Sequence, residues 1–227
     1  MDAWGRGAVF RRFTLFLIMC PIRLSSFNNE WYLPGRSSFW QATWFLVGSP
    51  LLRSAVIPFS GFRTRLLRLF GAEIGKGVVI KPGVRVKYPW RLRIGSYSWL
   101  GEDSWIDNLA NVEIGSNVCL SQDTYLCTGN HDWTDPSFGL IVKPICVEDG
   151  AWIGARSIVC PGVHVGQAAV VSAGSVVNRN VPPDEIHSGN PAAFVRRRKV
   201  QETRSGQKDT AQVYEVETDN LARVRQI

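Results

Sequence analysis

Residues 147–177 read VEDGAWIGARSIVCPGVHVGQAAVVSAGSVV and carry an aliphatic side chain at every sixth position. These anchor positions are Val147, Ile153, Val159, Val165, Val171 and Val177. The same spacing continues upstream, with two steps of eight residues among the steps of six, through Ile74, Ile80, Val86, Ile94, Leu100, Ile106, Ile114, Leu120 and Leu126. A fixed short period of this kind is typical of a solenoid.

A second column of small or aliphatic residues stands two positions before the anchors: Val78, Val84, Ser98, Ser104, Val118, Thr124, Ala151, Ser157, Val163, Ala169 and Ser175. Residues two apart on a strand share one face, so both columns are expected to point inward. Six residues are too few for a helix but sufficient for one short strand and a turn. The pattern therefore predicts triangular coils of 18 to 20 residues that stack into a parallel β-helix. A run of β-hairpins is excluded by the missing polar–apolar alternation.

Glycine often follows the anchor, as at Gly75, Gly95, Gly101, Gly115, Gly154 and Gly166. We expect these glycines to supply a turn conformation that a side chain resists.

The repeat is interrupted once, between Thr128 and Pro144. An insertion in a solenoid has to leave the stack as a loop, and such loops often carry function. This loop opens with Gly129-Asn130-His131-Asp132-Trp133. An imidazole titrates near neutral pH, which makes His131 a candidate general base.

The chain resembles the hexapeptide-repeat acyltransferases, and within them the branch of colanic-acid and exopolysaccharide biosynthesis acetyltransferases. The resemblance covers about residues 66–198, and its most specific stretches are LLRLFGAEIG (66–75), TGNHDW (128–133), EDGAWIGARSIV (148–159), SAGSVV (172–177) and GNPA (189–192). It implies an all-β core that forms a left-handed parallel β-helix. It also implies a homotrimer with active sites between subunits, and an acetyl-CoA-dependent O-acetyltransferase that acts on a saccharide hydroxyl in extracellular polysaccharide synthesis.

The resemblance also assigns roles to residues. His131 would be the general base for direct acetyl transfer, oriented by Asp132 or by a backbone carbonyl, and the amide of Ala155 would stabilise the oxyanion. Coenzyme contacts would fall on Trp152, Gly154, Ala155, Ala173, Gly174, Arg179, Arg196 and Arg197, with Arg198 and Lys199 beside them. Ala193 stands where the family often has arginine, so one expected cation is missing. Asp107, Asn108 and Trp133 are the predicted acceptor contacts, with Glu102 and Asp103 nearby, and no catalytic metal is expected.

Two other classes of protein are alternatives to this prediction. The γ-class carbonic anhydrases share the fold but need three zinc-binding histidines, two of them close together, whereas His131, His164 and His187 are widely spaced. A non-catalytic scaffold would not need the loop histidine or the basic end. Within the enzyme class, the alternative acceptors are maltose, galactosides, nodulation-type sugars and the amino acid serine.

Charge divides the 227-residue chain unevenly. Residues 1–70 hold nine Arg and two acids, whereas the remaining residues hold 17 basic and 17 acidic groups. Nine of the eleven Phe also fall in residues 1–70. This segment is predicted to pack, partly as helix, on the first coils, with Phe62, Leu66, Leu69 and Phe70 on one helical face. Its apolar stretch 39–59 suits lying on a membrane surface better than crossing it.

The predicted organisation is an N-terminal segment (1–70), a β-helix (71–182) with the loop at 128–144, a coenzyme-binding turn and basic run (183–200) and a loose tail (201–227). Five cysteines without a CxxC pair argue against a disulfide framework, and Cys20, Cys119, Cys127, Cys146 and Cys160 are expected to be reduced. Acetyl-CoA supply would place the enzyme in the cytoplasm, at the inner face of the membrane if the N-terminal segment binds there.

Overall fold

The computed structural model describes residues 22–199, so Cys20, the apolar run that begins after Arg12 and the predicted tail lie outside the described residues. Short strands form three parallel sheets, one on each face of a triangular prism, which we call faces A, B and C. Face A contains β1 (Glu73–Ile74), β4 (Leu92–Ile94), β7 (Val112–Ile114), β12 (Ile145–Val147) and β15 (His164–Val165). Face C contains β3 (Arg85–Val86), β6 (Trp105–Asp107), β9 (Tyr125–Cys127), β14 (Ile158–Val159) and β17 (Val176–Val177).

Face B is the longest because the C-terminal hairpin extends it. Its strands are β2 (Val79–Ile80), β5 (Trp99–Leu100), β8 (Cys119–Leu120), β13 (Trp152–Ile153), β16 (Val170–Val171), β18 (Glu185–Gly189) and β19 (Ala192–Arg197). β18 pairs in parallel with β16, and β19 returns antiparallel to β18. A cis peptide joins Asn190 to Pro191 at the turn. The parallel β-helix predicted from the hexad is confirmed.

The anchors form the interior of the prism. Fourteen of the fifteen are at most 3% exposed, and Ile74, the first, is partly buried. Every member of the second column is buried as well. Its hydroxyls bond from coil to coil: Ser98 Oγ donates to the Gly115 carbonyl at 2.6 Å, and Thr124 Oγ1 donates to Ser104 Oγ at 3.1 Å. The small residues thus fill the core and satisfy buried polar groups at the same time.

The glycines after the anchors serve a purpose different from the one predicted. None of them has a positive φ; that conformation occurs two residues later, at Gly77 after Gly75 and at non-glycine positions such as Tyr97, Asp103 and Asn117 after the others. A Cβ at Gly95 would lie 2.4 Å from the Ser116 nitrogen, and one at Gly154 would lie 2.5 Å from the Ala173 nitrogen. Glycine is required here because successive coils approach too closely for a side chain.

The N-terminal helices are α1 (Ser38–Thr43), a π-helical turn (Trp44–Gly48), α2 (Ser49–Arg53) and α3 (Ser60–Leu69). Helix α3 covers the first coil with Leu66, Leu67 and Phe70, whereas Leu69 is exposed, which corrects the predicted face. Arg63 and Thr64 are also buried, and Arg63 donates to the carbonyls of Leu52, Ser54 and Ile57. Within residues 22–199, no helix is both long and apolar enough to span a bilayer.

We expect Gly95→Ala to destabilise the protein by about 1–3 kcal/mol, because the new methyl group has to push neighbouring coils apart. The matched change Gly61→Ala, in helix α3, meets no atom within 4 Å. It should leave stability unchanged or raise it by up to about 1 kcal/mol. Chemical denaturation at one protein concentration measures both variants. Equal stabilities for the two would contradict the close-approach explanation.

Candidate active site

The interruption of the repeat forms a hairpin that leaves the prism at the edge between faces C and A. Strands β10 (Gly129–His131) and β11 (Leu140–Val142) pair antiparallel, with His131 opposite Leu140. The Lys143 amide donates to the Thr128 carbonyl at 2.9 Å and closes the base of the hairpin. At its tip, the Arg23 amide donates to the Pro136 carbonyl at 2.7 Å. The N-terminal segment therefore braces the loop that carries His131.

The His131 imidazole is fixed by two rings and a carbonyl. Its Nδ1 lies 2.8 Å from the carbonyl oxygen of Phe138. The Phe138 ring stacks parallel on it at 4.3 Å between centroids, and the Phe27 ring approaches at 5.5 Å. Phe138 adopts a left-handed backbone conformation with φ 55°. The amide of Phe138 donates to the Asp135 carbonyl at 2.8 Å, which holds this turn.

Asp132, one of the two predicted orienting partners, faces its own turn instead. Its Oδ1 accepts hydrogen bonds from the hydroxyl and the amide of Thr134. These bonds hold the pKa of the Asp132 carboxyl below its usual value. The group that contacts Nδ1 is therefore the backbone carbonyl of Phe138. The contacts of Phe27 and Phe138 with His131 could not be predicted from the sequence, because neither residue belongs to a repeat or a motif.

Ala155 lies on a different edge of the prism, between faces B and C, directly after β13. At the A–B edge, the equivalent amides of Lys76, Ser96, Ser116 and Gln167 each donate to a side-chain oxygen of a neighbouring coil. Among the described residues at this edge, only the amide of Asp149 has no such acceptor. At the B–C edge, the amides of Glu102, Gln122, Ala155 and Ala173 have no hydrogen-bond acceptor among residues 22–199. This edge presents a row of backbone donors without acceptors.

Most of the other predicted coenzyme residues lie along this edge or at the C-terminal end of face B. Arg179 is the exception, because it follows β17 of face C and lies at the C–A edge. Trp152 is half exposed, and its indole N–H donates to Ser121 Oγ at 2.9 Å. Gly154 is buried between coils, while Ala173, Gly174 and Arg179 are exposed. Gly174 has φ 72° and open space where a Cβ would stand.

The basic run on β19 divides into two groups. Arg196 and Arg197 are exposed. Arg198 Nη1 instead donates to the carbonyls of Gly150 and Ala168, at 3.0 and 2.9 Å, and ties the C-terminal hairpin to the coils. Arg196 and Arg197 are therefore the arginines of this run whose guanidinium groups are available to an anion.

The predicted acceptor residues differ in accessibility. Asn108 is fully buried, and its side-chain amide hydrogen-bonds to both the N–H and the carbonyl of Tyr88, so the predicted contact with the acceptor has no support in this structure. Asp107 is mostly buried and pairs with Lys87 Nζ at 3.0 Å. Trp133 is 76% exposed on the loop. Asp103 is exposed, and Glu102 pairs with Lys81 at 3.6 Å.

The three histidines lie apart, and each has a partner of its own. His164 Nε2 is 2.8 Å from Glu148 Oε1, and His187 Nε2 is 2.9 Å from Glu185 Oε2. Across the described part of the chain, no three His, Cys, Asp or Glu side chains converge on a common point. The histidine arrangement of a γ-class carbonic anhydrase is therefore not formed by residues 22–199.

The comparisons with known proteins agree with this architecture. Residues 144–179 match the family model described as the hexapeptide repeat of succinyl-transferase. A putative colanic acid biosynthesis acetyltransferase of Escherichia coli K12 is 37% identical over 175 residues, 77% of this chain and 96% of that protein. The galactoside O-acetyltransferase of the same organism is 28% identical over 137 residues, 59% of this chain and 68% of that protein.

A solved structure extends the likeness to three dimensions. A hexapeptide-repeat acetyltransferase from Vibrio cholerae, complexed with acetyl coenzyme A, superposes with a TM-score of 0.64 and 27% identity. The match covers 73% of this chain and 92% of that one. With its hexad coils, its single inserted loop and a relative matched over nearly its whole length, the chain belongs to the hexapeptide-repeat acetyltransferase family.

Proposed function

We propose that the protein transfers an acetyl group from acetyl-CoA to a hydroxyl of a saccharide used in extracellular polysaccharide synthesis. The observation that carries this proposal is the fixed imidazole of His131 on the loop. The saccharide class is supported by the relatives named for colanic acid biosynthesis and galactoside acetylation. Acetyl-CoA is supported by the complex of the Vibrio cholerae structure.

The hydrogen bond at Nδ1 suits His131 for the role of general base. A carbonyl oxygen only accepts hydrogen bonds, so in the neutral ring Nδ1 carries the proton. Nε2 then has a free lone pair. The acceptor hydroxyl would give its proton to Nε2 as its oxygen attacks the acetyl carbonyl, and the same nitrogen would return the proton to the departing thiolate.

The row of free amides at the B–C edge suits the donor substrate. Acetyl-CoA supplies an acetyl group activated as a thioester. The amides of Gln122, Ala155 and Ala173 offer donors to its amide-rich arm, and Arg196 and Arg197 offer charges to its phosphates. We assign the N–H of Ala155 to the negative charge that develops on the acetyl oxygen.

Direct transfer, without an acetyl-enzyme, fits the environment of three of the four described thiols, while the fourth, Cys127, donates its S–H to the Gly129 carbonyl at 3.0 Å. Burial raises the pKa of Cys119, Cys146 and Cys160, which keeps these thiols protonated and poorly nucleophilic at neutral pH. None of the three belongs to the loop that carries His131.

The proposed site requires more than one copy of the chain. His131 follows the C–A edge and Ala155 the B–C edge of the same prism, so the whole of face C separates them. One acetyl group cannot contact both residues of a single chain. A homotrimer in which neighbouring prisms bring these two edges together would complete the site.

The N-terminal segment supplies a surface suited to an anionic membrane, and we propose that it lies on one. No acidic residue occurs between Glu30 and Glu73. Its exposed apolar side chains include Leu24, Trp31, Leu33, Phe39, Phe45, Leu46, Val47, Val56, Phe59 and Leu69. Arg36, Arg53 and Arg65 are exposed among them. Apolar groups interspersed with arginine favour the interface of an anionic bilayer, here at its cytoplasmic face.

His131→Ala should lower turnover by at least about a hundredfold, because the attacking hydroxyl loses its base. The assay is acceptor-dependent release of free thiol from acetyl-CoA, with a panel of nucleotide-linked and lipid-linked saccharides. Coenzyme binding by calorimetry and the unfolding midpoint should remain those of the wild type. A variant that keeps most of its rate would overturn the mechanism.

Subunit mixing tests the shared site. Ala155→Pro removes the proposed oxyanion donor, and the first coil already accommodates proline at the equivalent position, Pro82. His131→Ala and Ala155→Pro should each be nearly inactive alone, whereas equal mixtures refolded together should recover about one quarter of the wild-type sites. Recovery of activity in the mixture would itself show that chains with Ala155→Pro fold and assemble. Mixtures no more active than their parents would place the site within one chain.

The tautomer of His131 can be read from ¹⁵N spectra of the imidazoles. In the neutral ring we expect Nδ1–H and an unprotonated Nε2, because Nδ1 faces a carbonyl. His187 is the internal control: its Nε2 faces the Glu185 carboxylate, so the opposite tautomer is expected. The substitutions His131→Gln and His187→Gln assign the signals. Finding Nε2–H in the neutral His131 ring would contradict its role as base.

Membrane binding can be tested by vesicle flotation. The wild type should float with vesicles that contain phosphatidylglycerol, and less as salt is raised, but not with pure phosphatidylcholine. Phe39→Glu with Leu46→Glu should abolish flotation, because both side chains are 77% exposed on the proposed surface. Val195→Glu, on β19, is the matched control. Unchanged flotation of the double variant would refute this orientation.

A further inference from the structure

A cleft of about 240 Å³ separates the N-terminal helices from face C. One wall is formed by Phe45, Ser49 and Arg53 of the helical segment. The opposite wall is formed by the outward side chains of β3 and β6 and the residues beside them: Arg85, Lys87, Trp105 and Asp107. Of its lining residues, only Asp107 is among the predicted acceptor contacts, and the proposed mechanism assigns no role to the cleft.

The cleft carries an excess of positive charge. Its acid, Asp107, is paired with Lys87 Nζ at 3.0 Å. The guanidinium groups of Arg53 and Arg85 form no ion pair and no hydrogen bond with any residue in the range 22–199. Two unpaired guanidinium groups that line one small cleft attract an anion, and the planar guanidinium fork matches phosphate oxygens in particular.

Arg85 is held in place by a column of side chains that crosses three coils. Its guanidinium lies 4.6 Å from the centroid of the Trp105 ring, and that ring stacks on Tyr125 at 4.5 Å and 19°. The Tyr125 hydroxyl donates to Asp107 Oδ2 at 3.2 Å, and burial raises the pKa of this phenol, so it remains a donor. A cation that is already ordered loses less entropy when it binds a ligand.

The column leads toward the loop of His131. Trp105 belongs to β6 and Tyr125 to β9, and β9 runs directly into the hairpin through Cys127 and Thr128. Neighbouring strands are about 4.8 Å apart, so Arg85 on β3 lies two steps, roughly 10 Å, from β9. A sugar at the loop with a phosphate group in the cleft would bridge this separation.

We propose that the acceptor is a sugar joined to a diphosphate, and that Arg53, Arg85 and Lys87 bind its phosphates in this cleft. This inference rests on the proposed function and names the class of its acceptor. The diphosphate is the feature that a nucleotide-linked sugar and a polyprenyl-linked sugar share. A neutral free saccharide would leave the two arginines without a partner.

The binding test uses the full-length protein and inorganic pyrophosphate, and needs no acceptor. Pyrophosphate should shift the ¹⁵N-indole signal of Trp105, assigned with Trp105→Phe, and should still do so when coenzyme A is saturating. Arg85→Gln should weaken this binding by at least about tenfold, the typical effect of losing one charged hydrogen bond. Arg93→Gln is the matched control, since Arg93 is an exposed arginine on face A that pairs with Glu73 and Glu113.

Several outcomes would overturn the inference. No shift of the Trp105 signal, or equal affinities for Arg85→Gln and Arg93→Gln, would exclude a phosphate site in the cleft. A loss of trimer mass in Arg85→Gln, without pyrophosphate binding by the wild type, would show that the cleft holds an acidic group of another copy.

The fate of the proposed function can be separated from this result. His131→Ala should bind pyrophosphate as the wild type does. An enzyme that acetylates neutral sugars but does not bind pyrophosphate would retain its proposed function and lose only this inference. With active enzyme, Arg85→Gln should raise the KM for diphosphate-linked sugars by about tenfold and leave kcat nearly unchanged. Comparing nucleotide-linked with polyprenyl-linked sugars then identifies the natural source of the diphosphate.

Discussion

The close stacking of successive coils is the constraint on which the rest of this structure depends. Each short strand pairs with the strands above and below it, so neighbouring coils are held about 4.8 Å apart. At this distance an anchor and a small partner fill the interior, and buried hydroxyls such as that of Ser98 bond from coil to coil. A strand of two residues has no stability of its own, because the partners of its backbone hydrogen bonds all belong to neighbouring coils.

The same constraint positions the functional groups. The turns at the corners recur with one geometry, so equivalent backbone amides form rows along the edges of the prism. At the A–B edge, side chains such as those of Ser96, Ser116 and Asp149 accept hydrogen bonds from these amides, so most donors of that edge are satisfied within the protein. At the B–C edge, residues such as Ala155 and Ala173 leave the donors without acceptors. A difference of a few side chains thereby separates an edge whose amides are mostly bonded within the protein from one whose amides have no acceptor among the described residues.

Elements outside the stack determine how the histidine is presented. The inserted hairpin cannot bury a core of its own, so it depends on the N-terminal segment through Arg23 and Phe27 and on its own turn through Phe138. The helices at residues 38–69 cover the first coil and form one wall of the cationic cleft. The N-terminal segment thus shields the open end of the prism, braces the loop and helps to shape the cleft next to face C.

The sequence was sufficient to predict the fold, because a hexad of aliphatic residues has one economical burial pattern, and fourteen of the fifteen anchors are buried as predicted. It also determined which loop leaves the stack and which histidine that loop carries. It did not determine why glycine follows the anchors, since the distance between coils is a property of the stack. Nor did it show that Asn108 and Arg63 are buried or that Leu69 of α3 is exposed.

The group that contacts Nδ1 of His131 could be identified only from the folded chain. The Phe138 carbonyl lies seven residues away along the chain, and the left-handed turn that brings it to Nδ1 has no signature in a single sequence. Likewise, Arg53 and Arg85 line one cleft because the helical segment that contains Arg53 packs beside face C. Local sequence patterns do not predict this packing. Periodic burial can be predicted from the sequence because the polarity of each side chain indicates whether that side chain is buried. A site assembled from distant segments, in contrast, exists only once the coils and helices have packed.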